Sequence, residues 1–253
     1  MSQPLVVLDR VTIQRAGRDV LRDFSWSLRE GERWAVTGPV GSGKTTFAET
    51  ILGKHFARSG SIEWPMLKNR PGAYPSAVIR HVAFQENSRL FSYVGHYYQQ
   101  RFEFADEDEP LSLMQFLRTG SDASEDDARI AARQLGIESR LPLSFIKLSN
   151  GQTRRARIAR ALLAKPELLI LDDPFLGVDA AGRIEIAALL GELVKKGLRL
   201  ILICSPDVVP NWVTHRLELG VSHEEPPTLM LTAEDLSRLE SGAKSLQDLV
   251  DRG

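Results

Sequence analysis

The chain has 253 residues, 43% hydrophobic and 26% charged, a globular balance that excludes a disordered or collagen-like protein. Its 32 basic and 33 acidic residues leave a net charge of -1, which gives no ground for nucleic acid or an anionic membrane as the main partner. The lone cysteine, Cys204, excludes an internal disulfide, and no apolar run reaches the roughly 18 residues of a membrane span, so a cytoplasmic protein is expected. The opening MSQPLVVLDR fits that expectation, because Asp9 and Arg10 interrupt it too early for a signal-peptide core.

In chain order, residues 5–8, 11–14 and 24–28 are short apolar runs that predict strands, with turns at 16–17 and 29–31. A strand over 32–37 runs into a glycine-rich loop, and a helix follows over 47–52 with Gly53 as its stop. Further strands are predicted at 61–64 and 81–84. The middle changes character. Residues 103–110 (EFADEDEP) and 121–127 (SDASEDD) are acidic, while LSLMQFLRT and ARIAARQLG carry helical periodicity. Residues from about 87 to 150 therefore predict a helical insertion with solvated acidic loops. Beyond it, helices at 152–164 and 181–196 alternate with continuously apolar strands at 168–171 and 200–204, as in a parallel sheet covered on both faces. Strands at 215–219 and 228–231 and a helix over 233–239 capped by Thr232 complete the prediction. The alternation argues for an α/β sheet with helices on both sides.

The strongest local signal is Gly38-Pro39-Val40-Gly41-Ser42-Gly43-Lys44-Thr45, followed by Thr46. It fits the G-x-x-x-x-G-K-[ST] phosphate loop and lies between a strand and a helix, as that loop requires. Glycines let the backbone wrap an anion with its N–H groups pointing inward, and the helix start adds a positive dipole end. Lys44 is placed to neutralise the β- and γ-phosphates, and the Thr45 hydroxyl to ligate Mg²⁺. A second element, LLILDDP, ends a predicted central strand in Asp172 and Asp173. Beside a phosphate loop, Asp172 is suited to hold the Mg²⁺ shell through water and Asp173 to orient an attacking water. In isolation, both carboxylates would be turn residues before Pro174.

The third element is Leu148-Ser149-Asn150-Gly151-Gln152 before TRRARIARALL, a helix with basic residues on one side. It resembles the LSGGQ signature of ATP-binding-cassette (ABC) ATPases, with Asn150 in place of the first glycine. Alone it would be a serine N-cap on a basic surface helix. The resemblance extends over residues 5 to about 219. Gln85 in HVAFQ resembles the Q-loop glutamine that reaches Mg²⁺, and Asp179 in FLGVD resembles the D-loop aspartate at a dimer contact. The resemblance implies a P-loop NTPase of the ABC type, one domain over 1–253. Its RecA-like α/β core would span 1–86 and 151–253 with an N-terminal antiparallel β subdomain, and its helical subdomain about 87–150. It implies ATP and Mg²⁺ as cofactors. It also implies a second cassette, in a homodimer or heterodimer, whose Ser149, Gly151 and Gln152 equivalents close over the γ-phosphate, and a membrane permease as a further partner.

The sequence departs from the family in ways that bear on chemistry. Asp173 stands where a catalytic glutamate is usual, shorter by one methylene. Ser205 follows ILIC where the family has its switch histidine, and serine cannot carry a proton at neutral pH. Arg15 falls where an aromatic usually stacks on adenine, although a guanidinium plane also stacks on a base. These changes predict a site that binds ATP–Mg²⁺ well and hydrolyses it slowly or conditionally. FQENSRLFSYVGHYYQQRF and LSNGQTRRARIARALL further resemble the soluble tandem ABC ATPases of the ModF type, associated by name with molybdenum transport. The alternative function is a nucleotide-dependent dimerisation module with little turnover and no membrane partner. A ribosome-acting cassette ranks lower, given the charge balance. The five histidines show no metal-ligand spacing, and Cys204 reads as a core residue.

Overall fold

Two β-sheets with helices packed against them make an α/β fold, in a computed structural model that describes residues 3–70, 72–84 and 111–220. Gln85, the acidic stretch at 103–110 and the predicted strand and helix at 228–231 and 233–239 lie outside the described residues. The first sheet is antiparallel, in the order β2-β1-β4, with β1 at Pro4–Arg15, β2 at Arg18–Arg29 and β4 at Ser59–Glu63. β1 and β2 are joined by a two-residue turn in which Ala16 (φ 47°) and Gly17 (φ 79°) both take positive φ. That is the backbone a tight hairpin requires.

The separate strands expected at 5–8 and 11–14 are one strand with a bulge. Register shifts between Leu8 and Val11, Arg10 takes φ 47°, and the Arg10 N–H donates to Ser25 Oγ at 2.9 Å. Val6 and Leu8 are buried on even positions and Val11 and Ile13 on odd ones. The extra residue switches the alternation so that both pairs face the core. In the sequence the same phase switch looks like a break.

The second sheet is parallel, in the order β5-β6-β7-β3-β8. Its strands are β3 (Trp34–Thr37), β5 (Ile79–Ala83), β6 (Leu168–Asp172), β7 (Leu200–Ile203) and β8 (His215–Glu218). β6 and β7 are buried at every position. Leu168, Ile170, Ile201 and Ile203 pack on Phe47, Ala48 and Ile51 of α1 (Lys44–Ile51). Leu169, Leu171, Leu200 and Leu202 face the opposite layer, with α5 (Asn150–Leu163) and α6 (Ala180–Lys195). Burial on both faces is why these strands read as unbroken apolar runs.

Between β5 and β6, after the four-residue α2 (Pro75–Val78) that leads into β5, come α3 (Leu113–Arg118) and α4 (Glu125–Gln134). Each begins with a reciprocal cap, Ser112 with Gln115 and Ser124 with Asp127. Leu113, Leu117, Ala128 and Ala132 join the same apolar cluster as Ile158 of α5 and Leu171 of β6. Because the five strands run one way, the loops after β3, β5, β6, β7 and β8 open on one edge of the sheet, where α/β sheets bind ligands.

Candidate functional site

The loop between β3 and α1 is shaped by its glycines. Gly38 takes φ 139°, and a Cβ there would fall 2.2 Å from the Leu219 carbonyl oxygen. Gly43 caps α1 in a left-handed conformation at φ 93°, and a Cβ there would meet Val20 Cγ1 at 2.7 Å. Both positions therefore demand glycine. The Lys44 ammonium folds back across the loop and donates to the carbonyls of Gly38 and Pro39, each at 2.8 Å. The Val40 side chain is fully exposed at the loop.

Asp172, the last residue of β6, is fully buried, and the Thr45 hydroxyl donates to its Oδ2 at 3.0 Å. Its Oδ1 is buried with no hydrogen-bond partner. A buried carboxylate oxygen without a donor is costly, so this atom marks a place where a cation or its water belongs. Among the described residues no group of three or more His, Cys, Asp or Glu side chains gathers to hold a metal. Mg²⁺ needs no such cage, since it binds through one or two protein groups plus substrate phosphates and water. Thr45 and Asp172 beside a phosphate loop fit that ion.

Asp173 sits at φ 57°, a left-handed conformation that aspartate tolerates better than most residues. Its N–H donates to the Ile203 carbonyl at 2.9 Å, and Arg154 Nη1 donates to its carbonyl at 3.3 Å. The backbone that carries this carboxylate is thus anchored to β7 and to α5. Ser205 is exposed just past β7, next to the buried Cys204. Burial pushes the Cys204 thiol up to about 12, with the charges of Asp173 and Asp207 adding to it, so this cysteine is a core group.

Arg15 ends β1 exposed and pairs with Glu49 of α1 at 3.3 Å, where His55 and Lys54 also meet the same carboxylate. Ser149 and Gln152 bond each other. Ser149 Oγ accepts the Gln152 N–H at 3.3 Å and Gln152 Oε1 accepts the Ser149 N–H at 3.1 Å, a capping box at the start of α5. Asn150 occupies the first helical position of α5, where no glycine is required. Gly151 has ordinary φ and is partly buried against Val178. Asp179 caps α6, its Oδ1 accepting the Gly182 N–H at 3.0 Å. The structure thus unites Gly38, Pro39 and Lys44, and Thr45 with Asp172, while Ser149, Gln152 and Asp179 bond within their own segments.

Two arginines of α5 were legible only as part of a basic face. Arg157 donates to the Ala83 carbonyl at 2.6 Å, and Arg154 and Arg157 lie 5.2 and 4.8 Å from the centre of the Phe84 ring. Burial pushes Arg157 down to about 10, with Arg154 and Arg160 repelling it. Burial also lowers Arg154, against the opposing charge of Asp173. The spacing of 154 and 157 puts both on one helix face. That half-buried face touches the ends of β5 and β6.

The family described as ABC transporter matches residues 21–176. The zinc import ATP-binding protein ZnuC of Pseudomonas syringae is 33% identical over 208 residues, covering 82% of this chain and 70% of its own. An uncharacterized ABC transporter ATP-binding protein of Schizosaccharomyces pombe is 32% identical over 208 residues, 79% of this chain but 42% of that protein, so the chain matches less than half of that relative. Among solved structures, cbiO1 from Clostridium perfringens, part of the ABC transporter complex cbiONQ, has a TM-score of 0.68 at 24% identity, covering 85% of this chain and 84% of its own. A nucleotide-free ATP-binding cassette from an ABC transporter has a TM-score of 0.65 at 20% identity over 86% and 88% of the two chains. These two show the fold. The names are ZnuC and CbiO, so the likeness is to ABC cassettes and not to the ModF type in particular. The chain belongs to the ABC transporter family of ATP-binding cassettes.

Proposed function

We propose that this cassette binds ATP with Mg²⁺ on the loop from Gly38 to Thr46 and hydrolyses it slowly at an interface with a second cassette, as the cytoplasmic ATPase of a transport system. The observation that carries this is the buried Asp172, one oxygen bonded to Thr45 and the other without a partner, beside the phosphate loop. Lys44 leaves the loop carbonyls for the β- and γ-phosphates. Bound Mg²⁺ neutralises phosphate charge and supplies a fixed electrophile. Thr45, Asp172 and Gln85 would hold it. Asp173 orients the attacking water. Arg15, steadied by Glu49, faces the base. The Ser149, Gly151, Gln152 and Asp179 of each cassette complete the partner's site, in a homodimer or with a different chain. The exposed Val40 and Leu176, beside the phosphate loop and the Asp179 turn, supply apolar contact there.

Slow turnover follows from the anchoring of Asp173. Its backbone is tied on both sides, so the missing methylene, about 1.5 Å, is not recovered by a backbone shift. A misplacement of about 1 Å reduces rate roughly 100-fold. Ser205 adds no proton shuttle. No helix among the described residues is long and apolar enough to cross a membrane, which leaves that part to a permease. The relatives' zinc-import names make a metal-importing permease the first partner to test, ahead of a molybdenum-linked one.

Steady-state phosphate release from the wild type and Lys44→Ala tests the reading. A slow rate that Lys44→Ala abolishes supports an ATPase. The anchored Asp173 and the Ser205 departure also favour a second reading, a dimerisation module switched by nucleotide occupancy. It predicts saturable binding with phosphate release no faster than Lys44→Ala.

A further inference from the structure

Nothing in the motif spacing marks His81, yet the parallel register brings it to Asp172. His81 pairs with Ile170, and Ala83 with Asp172. Alternate residues of a strand share a face. His81, Ile170 and Asp172 therefore project to the side covered by α1, where Ile170 packs with Phe47 and Ile51. The imidazole is nearly as buried as the carboxylate, with 8% and 0% of the side chains exposed. His81 Nε2 lies 3.5 Å from Asp172 Oδ2 and has no hydrogen-bond partner. An ordinary core histidine satisfies its ring nitrogens. This one has its nitrogen aimed at a carboxylate and stops short of bonding it.

We infer that His81 is a positioning residue for the magnesium carboxylate, donating from Nε2–H to Asp172 Oδ2 when nucleotide and metal are bound. This rests on the reading of Asp172 given above. A closure from 3.5 Å to an ordinary hydrogen-bond length of about 2.9 Å is within the reach of a side-chain rotation. Thr45 already donates to the same oxygen. Two donors on Oδ2 stop the carboxylate from turning about its Cβ–Cγ bond and leave Oδ1 directed at the metal's water. The imidazole lies behind the carboxylate, two residues back along the neighbouring strand, so it acts through Asp172.

The test is a titration of the full chain with a fluorescent ATP analogue, with and without Mg²⁺, for the wild type, His81→Leu, His81→Gln and Asp172→Asn. Leucine keeps the volume and removes the donor; glutamine offers an amide N–H at similar reach. His81→Leu is expected to lower the Mg²⁺-dependent gain in affinity about 10-fold, the usual loss when a group that orients a metal ligand is removed. Metal-free affinity stays within about twofold, and His81→Gln retains most of the gain. If Asp172→Asn abolishes the Mg²⁺ effect while His81→Leu matches the wild type, the role of His81 is overturned and that of Asp172 stands. If neither changes the Mg²⁺ effect, both are overturned. If both His81 variants also lose metal-free affinity, His81 is a structural residue and the inference is overturned.

Discussion

Two turns in this molecule lead into helices with the same latent chemistry, and they are finished differently. At Gly38–Thr45 the loop is held by glycines that no other residue can replace, its lysine rests on the loop's own carbonyls, and the carboxylate beside it keeps one oxygen unpartnered. At Leu148–Gln152 the turn closes on itself, with Ser149 and Gln152 satisfying each other's N–H groups. The first keeps a buried carboxylate oxygen without a partner beside a loop of the phosphate-binding type. The second has its side chains engaged with each other. The contrast teaches that a helix start binds an anion only to the extent that its N–H groups lack internal partners.

The largest effect that would sharpen the contrast concerns the first region. Asp173→Glu restores the missing reach on an anchored backbone and is expected to raise single-turnover hydrolysis roughly 100-fold without altering ATP affinity. An unchanged rate would show that geometry at Asp173 does not limit turnover. In the second region, Ser149→Ala removes the cap of α5. It is expected to cost about 1 kcal/mol of stability by denaturant titration, while the isolated chain keeps its affinity for ATP. A loss of that affinity would break the distinction between the two turns. The smallest expected effect is at Cys204, behind the first region. Its thiol, pushed up to about 12 by burial, is a poor nucleophile at pH 8, and a thiol reagent is expected to label it only on unfolding. Thiolate reactivity in the folded chain would show that the strand end is open.

What the sequence revealed divides along the same physical lines. Continuous apolar runs at β6 and β7 identified the parallel sheet because both faces are buried. The phosphate loop was legible because its glycines answer to backbone constraints that no other residue meets. The bulge in β1 was not, because a phase switch in period-two alternation looks like a gap between strands. Arg154, Arg157 and His81 were missed for a related reason. The groups they face, the Asp173 and Ala83 carbonyls and the Asp172 carboxylate, are set by strand and helix neighbours that spacing along the chain does not encode. The basic face of α5 suggested solvent, and the structure turns Arg154 and Arg157 inward onto Phe84.

The central claim is that one chain by itself holds the triphosphate through Lys44 and the magnesium through Thr45 and Asp172. Calorimetric titration with Mg–ATP addresses it most directly. The account predicts saturable binding with one nucleotide per chain, and a loss of about 3 kcal/mol, or roughly 100-fold, in Lys44→Ala. Equal affinity in the two proteins, or no binding in the wild type, would contradict it.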